Sequence, residues 1–471
     1  MKRYLLFTIG AAAVLALGLT ARLQVNDSAY TAHEWGTFTS IQGSDGEPIR
    51  WNPFLTSDLP GFVFDRTRPT HNDELLRTRG QEFKTLGLKQ SRDFLQRMET
   101  PVIYFRSDQA LDVDVLVRFP KGLLTEWFPQ VTTFGPVSGV PNLLPDTQES
   151  HLKWSRIHIL PPSASTNESV LATVPNESTP SHYYPARATA ANLVETTRPF
   201  DSARAARVDG AAHVREQLLF YRGAGDFQAP LRVSFDPSSQ LRLENRGHET
   251  IGPIFAVHTT NGQTAFTALG RLEPGARIRT PIPAASPGVS PAARLDELAE
   301  ELRTALTGAR LHADEAAAMV TTWRDSWFTE NGTRILYLLP QAWTDEELPL
   351  RLHPAPRELV RVMVGRADIL HQDVETRARE RVADHFRGDT TRAAAGLQQL
   401  GLGRFLEPAV TRAANQIRRA STQANPGGGL TNAPTGPWPL SGQDWEHSVA
   451  ELKTHLRRLE SPQRSLHTAN R

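Results

Sequence analysis

The sequence contains no cysteine in its 471 residues. That absence excludes disulfide bonds, thiolate metal sites, a cysteine nucleophile and the lipid-modified cysteine that anchors a lipoprotein. An excess of charge of one sign is lacking as well, because 52 Lys and Arg residues stand against 51 Asp and Glu residues, for a net charge of +1. No overall positive field attracts nucleic acid, so nucleic acid is not expected as a partner.

Several catalytic motifs are also missing. No G-x-S-x-G elbow or S-x-x-K pair stands between a strand and a helix, and the sequence has no P-loop. The scattered histidines show no H-x-H or H-E-x-x-H spacing. We therefore predict no metal and no cofactor from the sequence.

The first 25 residues resemble a targeting segment. Lys2 and Arg3 precede an uncharged, mostly apolar run from Tyr4 to Ala21. As a helix this run would measure about 27 Å, just short of a bilayer core, so a cleaved signal peptide and a retained transmembrane helix both stay open. Both alternatives place the chain beyond Val25 outside the cytoplasm, periplasmic or secreted, with membrane contact through the N-terminal segment.

Residues 33–285 read as a β-rich domain. Leu111–Phe119 alternates apolar and polar residues, which indicates a strand with one buried face, and the apolar run Val102–Phe105 would pair with it as a hairpin. Charged residues with apolar positions at helical spacing near 65–98 predict a helical insertion. A β-sandwich-like antiparallel core accommodates these strands.

The chain beyond this domain turns helical. Residues 290–368 predict helices followed by strands that complete the β body, and 369–424 predict a helical region. A run rich in glycine and proline at 425–440 indicates a flexible linker, which leaves 441–471 as a C-terminal helix or tail. The predicted fold class is α+β, with a sandwich-like antiparallel core, inserted helices and a helical C-terminal region.

Two glutamates stand beside tryptophans. Glu34 precedes Trp35, and Glu126 precedes Trp127. Glycoside hydrolysis needs two carboxyl groups on either side of one bond, and sugar faces stack on indole rings, so Glu34 and Glu126 are candidate catalytic residues. The structural alternative for the first pair is that Trp35 and Phe38 fill the core while Glu34 pairs with an arginine.

His33 and Arg222 are candidate ligand-binding residues, together with Trp35 and Trp127. Cleavage after Ala32 would make His33 a new N-terminus, whose amine and ring could hold a copper ion. Arg222 follows an apolar strand and precedes a glycine turn, where its guanidinium could hold an anionic group or simply satisfy carbonyls at the strand end.

A set of short sequence motifs between about Ala32 and Asp368 resembles motifs of a known group of proteins. The motifs are HEWGTFTS, METPVIYF, TEWFP, SHYYPARAT, LLFYRG and LVRVMVGR. With them the chain resembles a group of uncharacterised exported bacterial proteins. The resemblance implies a bacterial envelope setting and a shared fold, and it carries no catalytic residues.

Three functions follow as hypotheses. The first is an exported envelope module for binding or scaffolding, whose partner would be a cell-envelope glycan or protein. The second is a carbohydrate-active hydrolase that uses Glu34 and Glu126. The third is a copper protein with His33 as its N-terminus.

Overall fold

The structure is a computed structural model of the full chain. It describes residues 30–54, 59–66, 93–136, 149–163, 171, 181–197, 213–285, 288–424 and 442–467.

Strands make up about half of the described chain up to residue 369. In chain order they are β1 (Tyr30–Gln42), β2 (Pro48–Ile49), β3 (Phe64–Asp65), β4 (Gln96–Ser107), β5 (Leu111–Phe119), β6 (Gly122–Phe128), β7 (Thr133–Gly135), β8 (Ser150–Ile159), β9 (Val194–Thr197), β10 (His213–Glu216), β11 (Leu219–Gly225), β12 (Leu231–Phe235), β13 (Leu241–Asn245), β14 (Ile251–Thr260), β15 (Gln263–Leu272), β16 (Arg277–Thr280), β17 (Gly332–Leu339), β18 (Leu350–His353) and β19 (Glu358–Ile369).

The largest sheet has ten strands, in the order β15-β14-β17-β19-β1-β4-β11-β6-β3, with β2 beside β1. The central strand β1 is buried along its whole length and runs parallel to β19, while the other strand pairs of this sheet are antiparallel. A strand buried on both faces needs cover on both sides, and elements from distant parts of the chain supply it.

A second sheet, in the order β10-β9-β8-β5-β18 with β7 beside β8, packs against the first. The alternation of β5 is confirmed, because Val113, Val115 and Val117 are buried while the residues between them are less so. The hairpin expected between β5 and Val102–Phe105 is wrong, because β4 pairs with β1 and β11 in the first sheet. Trp154 of β8 contacts Tyr221 of β11, with ring centroids 6.5 Å apart, so Tyr221 faces the space between the sheets. A third sheet has the order β12-β13-β16.

The described α-helices begin after β16, and β17 to β19 follow the first two of them, as the sequence predicted for residues 290–368. The helices are α1 (Pro291–Gly308), α2 (Ala313–Phe328), α3 (Gln341–Glu347), α4 (Gln372–Phe386), α5 (Thr390–Gln398), α6 (Leu406–Ala424) and α7 (Gly442–His467). The predicted N-terminus of α1 is confirmed, because Ser290 caps the helix and Pro291 is its first residue. The predicted α+β class, with a sandwich-like antiparallel core and a helical C-terminal region, is confirmed.

The C-terminal helices share a separate apolar core. Val382 of α4, Leu397 of α5 and Val410 of α6 are buried there together with Leu452 and Leu456 of α7. The expected C-terminal helix or tail is therefore a helix packed on its neighbours. The adjoining residues 425–441, where the linker was expected, lie outside the described part of the chain.

Two expectations need correction or limits. The prediction of a transmembrane helix is wrong for the described chain, since none of the helices that the structure describes is both long and apolar enough to cross a bilayer. The segment 1–25 on which it was based lies outside the described residues, as does most of the helical insertion expected near 65–98. The last residues of that insertion belong to β4, which begins at Gln96.

Candidate functional site

Glu34 lies in a buried ion pair. Its Oε2 accepts a hydrogen bond of 2.6 Å from Nε of Arg361, its Oε1 accepts one from the Tyr221 hydroxyl, and no part of the residue is exposed. Arg361 also donates to Asp345 at 2.7 Å. Burial by itself lowers the pKa of Arg361, but the Glu34 charge raises that pKa above its ordinary value. Both oxygens of Glu34 are thus occupied by hydrogen bonds, and Glu34 is paired with an arginine, as the structural alternative predicted.

Glu126 has a different environment. It lies in β6 opposite Arg222 of β11 and opposite Asp65 of β3. Burial and the nearby Asp65 charge raise the pKa of Glu126, and the charges of Arg222 and Arg97 only partly oppose that rise. Glu126 therefore holds its proton more firmly than a glutamate in water does.

The two glutamates do not face one cleft. Two strands, β4 and β11, separate β1 from β6, which corresponds to about 14 Å at the usual strand spacing. Glu34 shares the face of Tyr221, whereas Glu126 shares the face of Arg222, and consecutive strand residues point to opposite faces. This arrangement does not support a hydrolase that uses Glu34 and Glu126, because the two carboxyl groups would have to flank one glycosidic bond.

Trp35 and Trp127 are both buried in the main core. Trp35 packs against Tyr104, and Trp127 packs between Phe64 and Phe134. A sugar cannot stack on rings that are covered in this way. Trp35 and Phe38 thus fill the core, as the structural alternative predicted, and Trp127 does so as well.

His33 lies inside β1, three residues after its start. Tyr30, Thr31 and Ala32 are buried and pair with β4 and β19, so cleavage after Ala32 would remove a paired segment of the central strand. This placement does not favour the copper site at a new N-terminus. The Nδ1 atom of His33 lies 2.7 Å from Oε2 of Glu315, and His312 completes a group of three residues that could hold a metal.

Arg222 lines a cavity of about 390 Å³ that we call the arginine pocket. Arg97 and Glu99 of β4 and Arg222 of β11 come from the main sheet. Opposite them lie the C-terminal part of α2 and the residues after it, and the turn that precedes α6. The full lining consists of Arg97, Glu99, His182, Arg222, Trp323, Ser326, Glu330, Asn331, Gly401, Leu402, Gly403, Arg404 and Phe405.

Glu99 connects two of the three arginines. Arg404 Nη1 donates to its Oε1 at 2.8 Å, and Arg97 Nε lies 3.4 Å from the same oxygen. Burial alone would raise the pKa of Glu99, but the charges of Arg404 and Arg97 and the hydroxyl of Thr39 lower it to about 2. One fully ionised glutamate is therefore shared by two guanidinium groups.

Arg404 has donors to spare. Its Nε and Nη2 atoms are buried and have no hydrogen-bond partner among the residues that the structure describes. A buried donor without a partner costs about 1–3 kcal/mol, and charged groups cost more. These two atoms therefore mark a position where an acceptor would be stabilising. The described lining of the pocket contains three arginines and two glutamates, Glu99 and Glu330. Glu330 is already paired with Arg366, which lies outside the lining, so the lining carries an excess of positive charge.

Thr100, which accepts hydrogen bonds from Arg222, has a strained backbone conformation. Its φ of +50° lies in the left-handed region, which a β-branched residue rarely adopts. The Thr100 hydroxyl accepts hydrogen bonds from Nε and Nη2 of Arg222 at 3.3 and 3.0 Å. Backbone outliers of this kind cost on the order of 1–3 kcal/mol and concentrate at ligand sites.

Sequence reasoning found Arg222 but missed its companions. Arg97 immediately precedes the phrase METPVIYF, and Arg404 stands in the glycine turn Gly401-Leu402-Gly403. A lone arginine in a glycine turn between two helices was the available signal for Arg404. Nothing in the sequence indicated that the turn would lie beside β4.

Comparisons with known proteins add little. No protein-family model matches the chain, and a search of curated proteins finds no significant relative. Among solved structures, the Mu homology domain of Fcho1 from Danio rerio, with a bound Eps15 peptide, aligns with 74% of this chain and 100% of that chain. The identity is 8% and the TM-score is 0.25, and a similarity this low carries no argument.

Proposed function

We propose that this chain is a binding module for small organic anions that carry a carboxylate or a phosphate. The observation that supports the proposal is the arginine pocket, where Arg404 has two buried donors without a partner in the described chain. Arginine presents parallel N–H donors that match the oxygens of carboxylates and phosphates.

The size and lining of the pocket fit a small molecule. Its volume of about 390 Å³ lies within the range of ligand sites. Phe405, Leu402 and Trp323 provide apolar surface beside the arginines, so a bound ligand would place its anionic group at the guanidinium groups and its carbon skeleton against these side chains. An acidic sugar of an envelope glycan has this chemistry.

Isothermal titration calorimetry with a small panel tests the proposal. The panel is glucuronate, glucose 6-phosphate and inorganic phosphate, with uncharged glucose as the negative control. We expect glucuronate or glucose 6-phosphate to bind and glucose not to bind. If inorganic phosphate alone binds, or if none of the anions does, the proposal of an organic-anion module fails.

Arg404→Gln locates the binding, because it removes the charge while keeping two N–H donors. Charged hydrogen bonds contribute about 1.5–3 kcal/mol, so affinity should fall by at least about tenfold. Arg412→Gln is the matched control, since Arg412 also connects the helical region to the sheet domain, through Asp45, but does not line the arginine pocket. Equal affinities of the two variants would place the ligand elsewhere.

We also propose that the protein acts outside the cytoplasm. This proposal depends on the basic and apolar pattern of residues 2–21 and on the resemblance to exported bacterial proteins. Fusion of the chain to alkaline phosphatase, which is active only after export, tests it. Activity that persists after deletion of residues 2–21 would contradict it.

A further inference from the structure

His33, His312 and Glu315 form a compact group where the start of α2 contacts a side chain of β1. We call it the histidine cluster. His33 and Glu315 are buried, whereas the side chain of His312, immediately before α2, is exposed. The rings of His33 and His312 stack, with centroids 4.7 Å apart.

We propose that the histidine cluster is a binding site for a divalent transition-metal ion, with Zn²⁺ as the reference ion. The three residues offer one ligand atom each, and these atoms all lie within 4.8 Å of one another. Two imidazoles and one carboxylate are a ligand set that zinc accepts, with a fourth position left for water. The site is distinct from the arginine pocket, because it shares no residue with its lining.

The distances require only a small adjustment. Ligand atoms about 2.1 Å from a tetrahedral zinc ion lie ~3.4 Å apart. The hydrogen bond of 2.7 Å between His33 Nδ1 and Glu315 Oε2 would open by less than 1 Å (~0.7 Å), and the exposed ring of His312 would turn towards them. The solvent side of His312 gives the ion a route of entry.

The two carboxylate oxygens of Glu315 have different partners, and this leaves one of them facing the proposed metal site. Its Oε1 accepts hydrogen bonds of 3.1 and 2.9 Å from Arg106, while its Oε2 faces His33 and the backbone N–H of His312. Arg106 also binds both oxygens of Asp314, at 3.0 and 3.1 Å. Asp314 therefore balances the arginine charge, which leaves the charge of Glu315 to balance the ion.

Two local features oppose a cation. Arg106 lies beside the site, and the N-terminus of α2 carries a partial positive charge that disfavours a nearby cation. Two carboxylates, Asp314 and Glu315, stand against that single arginine. Coordination by three protein ligands contributes far more than the helix terminus removes.

The alternative is a purely structural group in which the hydrogen bond from His33 to Glu315 attaches α2 to the sheet. In that case His312 has no part in binding, and its removal changes no property that depends on zinc. The role of His312 therefore distinguishes the two interpretations.

The test uses the purified full chain without a histidine tag. Zinc is titrated in competition with a chromophoric chelator, and Co²⁺ is titrated separately because tetrahedral cobalt has strong visible absorption bands. We expect one ion per chain and cobalt bands in the wild type. In His312→Ala, zinc affinity should fall by at least about 100-fold and the cobalt bands should disappear, since loss of a ligand exceeds the ~10–100-fold effect of losing a second-sphere partner.

His158→Ala is the matched control. His158 is an exposed histidine whose Nδ1 lies 2.8 Å from Asp112, but no third ligand joins this pair within the described chain. It should bind zinc as the wild type does. Because His312 is exposed, its alanine variant is expected to fold, and thermal unfolding without zinc checks this.

A wild-type chain that binds no zinc, or a His312→Ala variant that binds it unchanged, would overturn the proposal. Glu315→Gln provides a second variant, which keeps the size of the side chain and removes its charge. Wild-type zinc affinity in Glu315→Gln would also count against the site.

Discussion

Glu34 and Glu126 each precede a tryptophan in a buried strand of the same sheet, yet their surroundings differ in charge. Glu34 is paired with Arg361 and Tyr221, and both of its oxygens accept hydrogen bonds. Glu126 faces another acid, and burial together with Asp65 raises its pKa. Glu34 lies beside a cation, whereas burial and a neighbouring acid push Glu126 towards its neutral form.

This difference shows that residues on neighbouring strands, more than neighbours in sequence, determine the charges around a buried carboxyl group. Arg361 lies 327 residues from Glu34 along the chain, and Tyr221 lies 187 residues away. A tryptophan follows each glutamate in the sequence, so the tryptophan does not account for the difference in their surroundings. Three predictions test the contrast.

The largest effect is expected for Glu34→Ala. The substitution leaves the guanidinium of Arg361 buried with only the half-exposed Asp345 as a partner, and it removes the acceptor of the Tyr221 hydroxyl. Breaking a buried ion pair from one side costs about 3–5 kcal/mol. Urea unfolding at pH 7 measures the loss.

Glu47→Ala is the control for that loss. Glu47 pairs with Arg232 at 2.9 Å but its side chain is 61% exposed, so the change should stay below about 1 kcal/mol. A Glu34→Ala variant as stable as Glu47→Ala would show that the buried pair contributes no stability.

An intermediate effect is expected for Glu99 in acid. Its pKa is about 2 in the folded chain, against an ordinary 4.5, so the stability that it contributes is complete above pH 4.5 and is lost as the pH falls towards 2. The shift corresponds to roughly 3 kcal/mol. Free energies of unfolding at pH 5 and pH 3 should differ less in Glu99→Gln than in the wild type. Identical pH dependence in both proteins would contradict the prediction.

The smallest effect is expected for Glu126→Gln. Because the pKa of Glu126 is raised, the folded chain binds this proton more tightly than the unfolded chain, and stability falls as the pH rises above the ordinary pKa of glutamate. Glutamine resembles the neutral form, so stability at pH 7 should change by less than about 1 kcal/mol. A loss as large as that of Glu34→Ala would mean that Glu126 forms a full ion pair with Arg222.

Local patterns predicted the elements of the fold well. The alternation in β5 and the leucine spacing after Pro291 depend on residues within one strand or one helix, and both appear in the structure. The α+β class follows from such elements in order. Their partners do not, because the sequence gives no register between strands that are hundreds of residues apart.

The candidate sites show the same limit. Arg222 was identified because a strand end and a glycine turn were expected there, but that expectation is wrong, since Arg222 lies inside β11, which continues to Gly225. Arg404 lies near it only through the packing of the helical region. His33 was singled out for a copper site that requires cleavage, whereas its actual neighbour Glu315 lies 282 residues away. Spacing motifs detect ligands on one helix or loop, and this cluster combines a strand with a distant helix.

The parallel pairing of β1 with β19 has a consequence for the order in which the molecule can be assembled. The centre of the main sheet can form only after Glu358–Ile369 has been synthesised, because this segment pairs with Thr31–Gln42. A growing chain therefore presents β1 with an open edge during most of its synthesis. Pulse-labelled chains cut short before Glu358 should be digested by protease, while chains that include Ile369 should resist it.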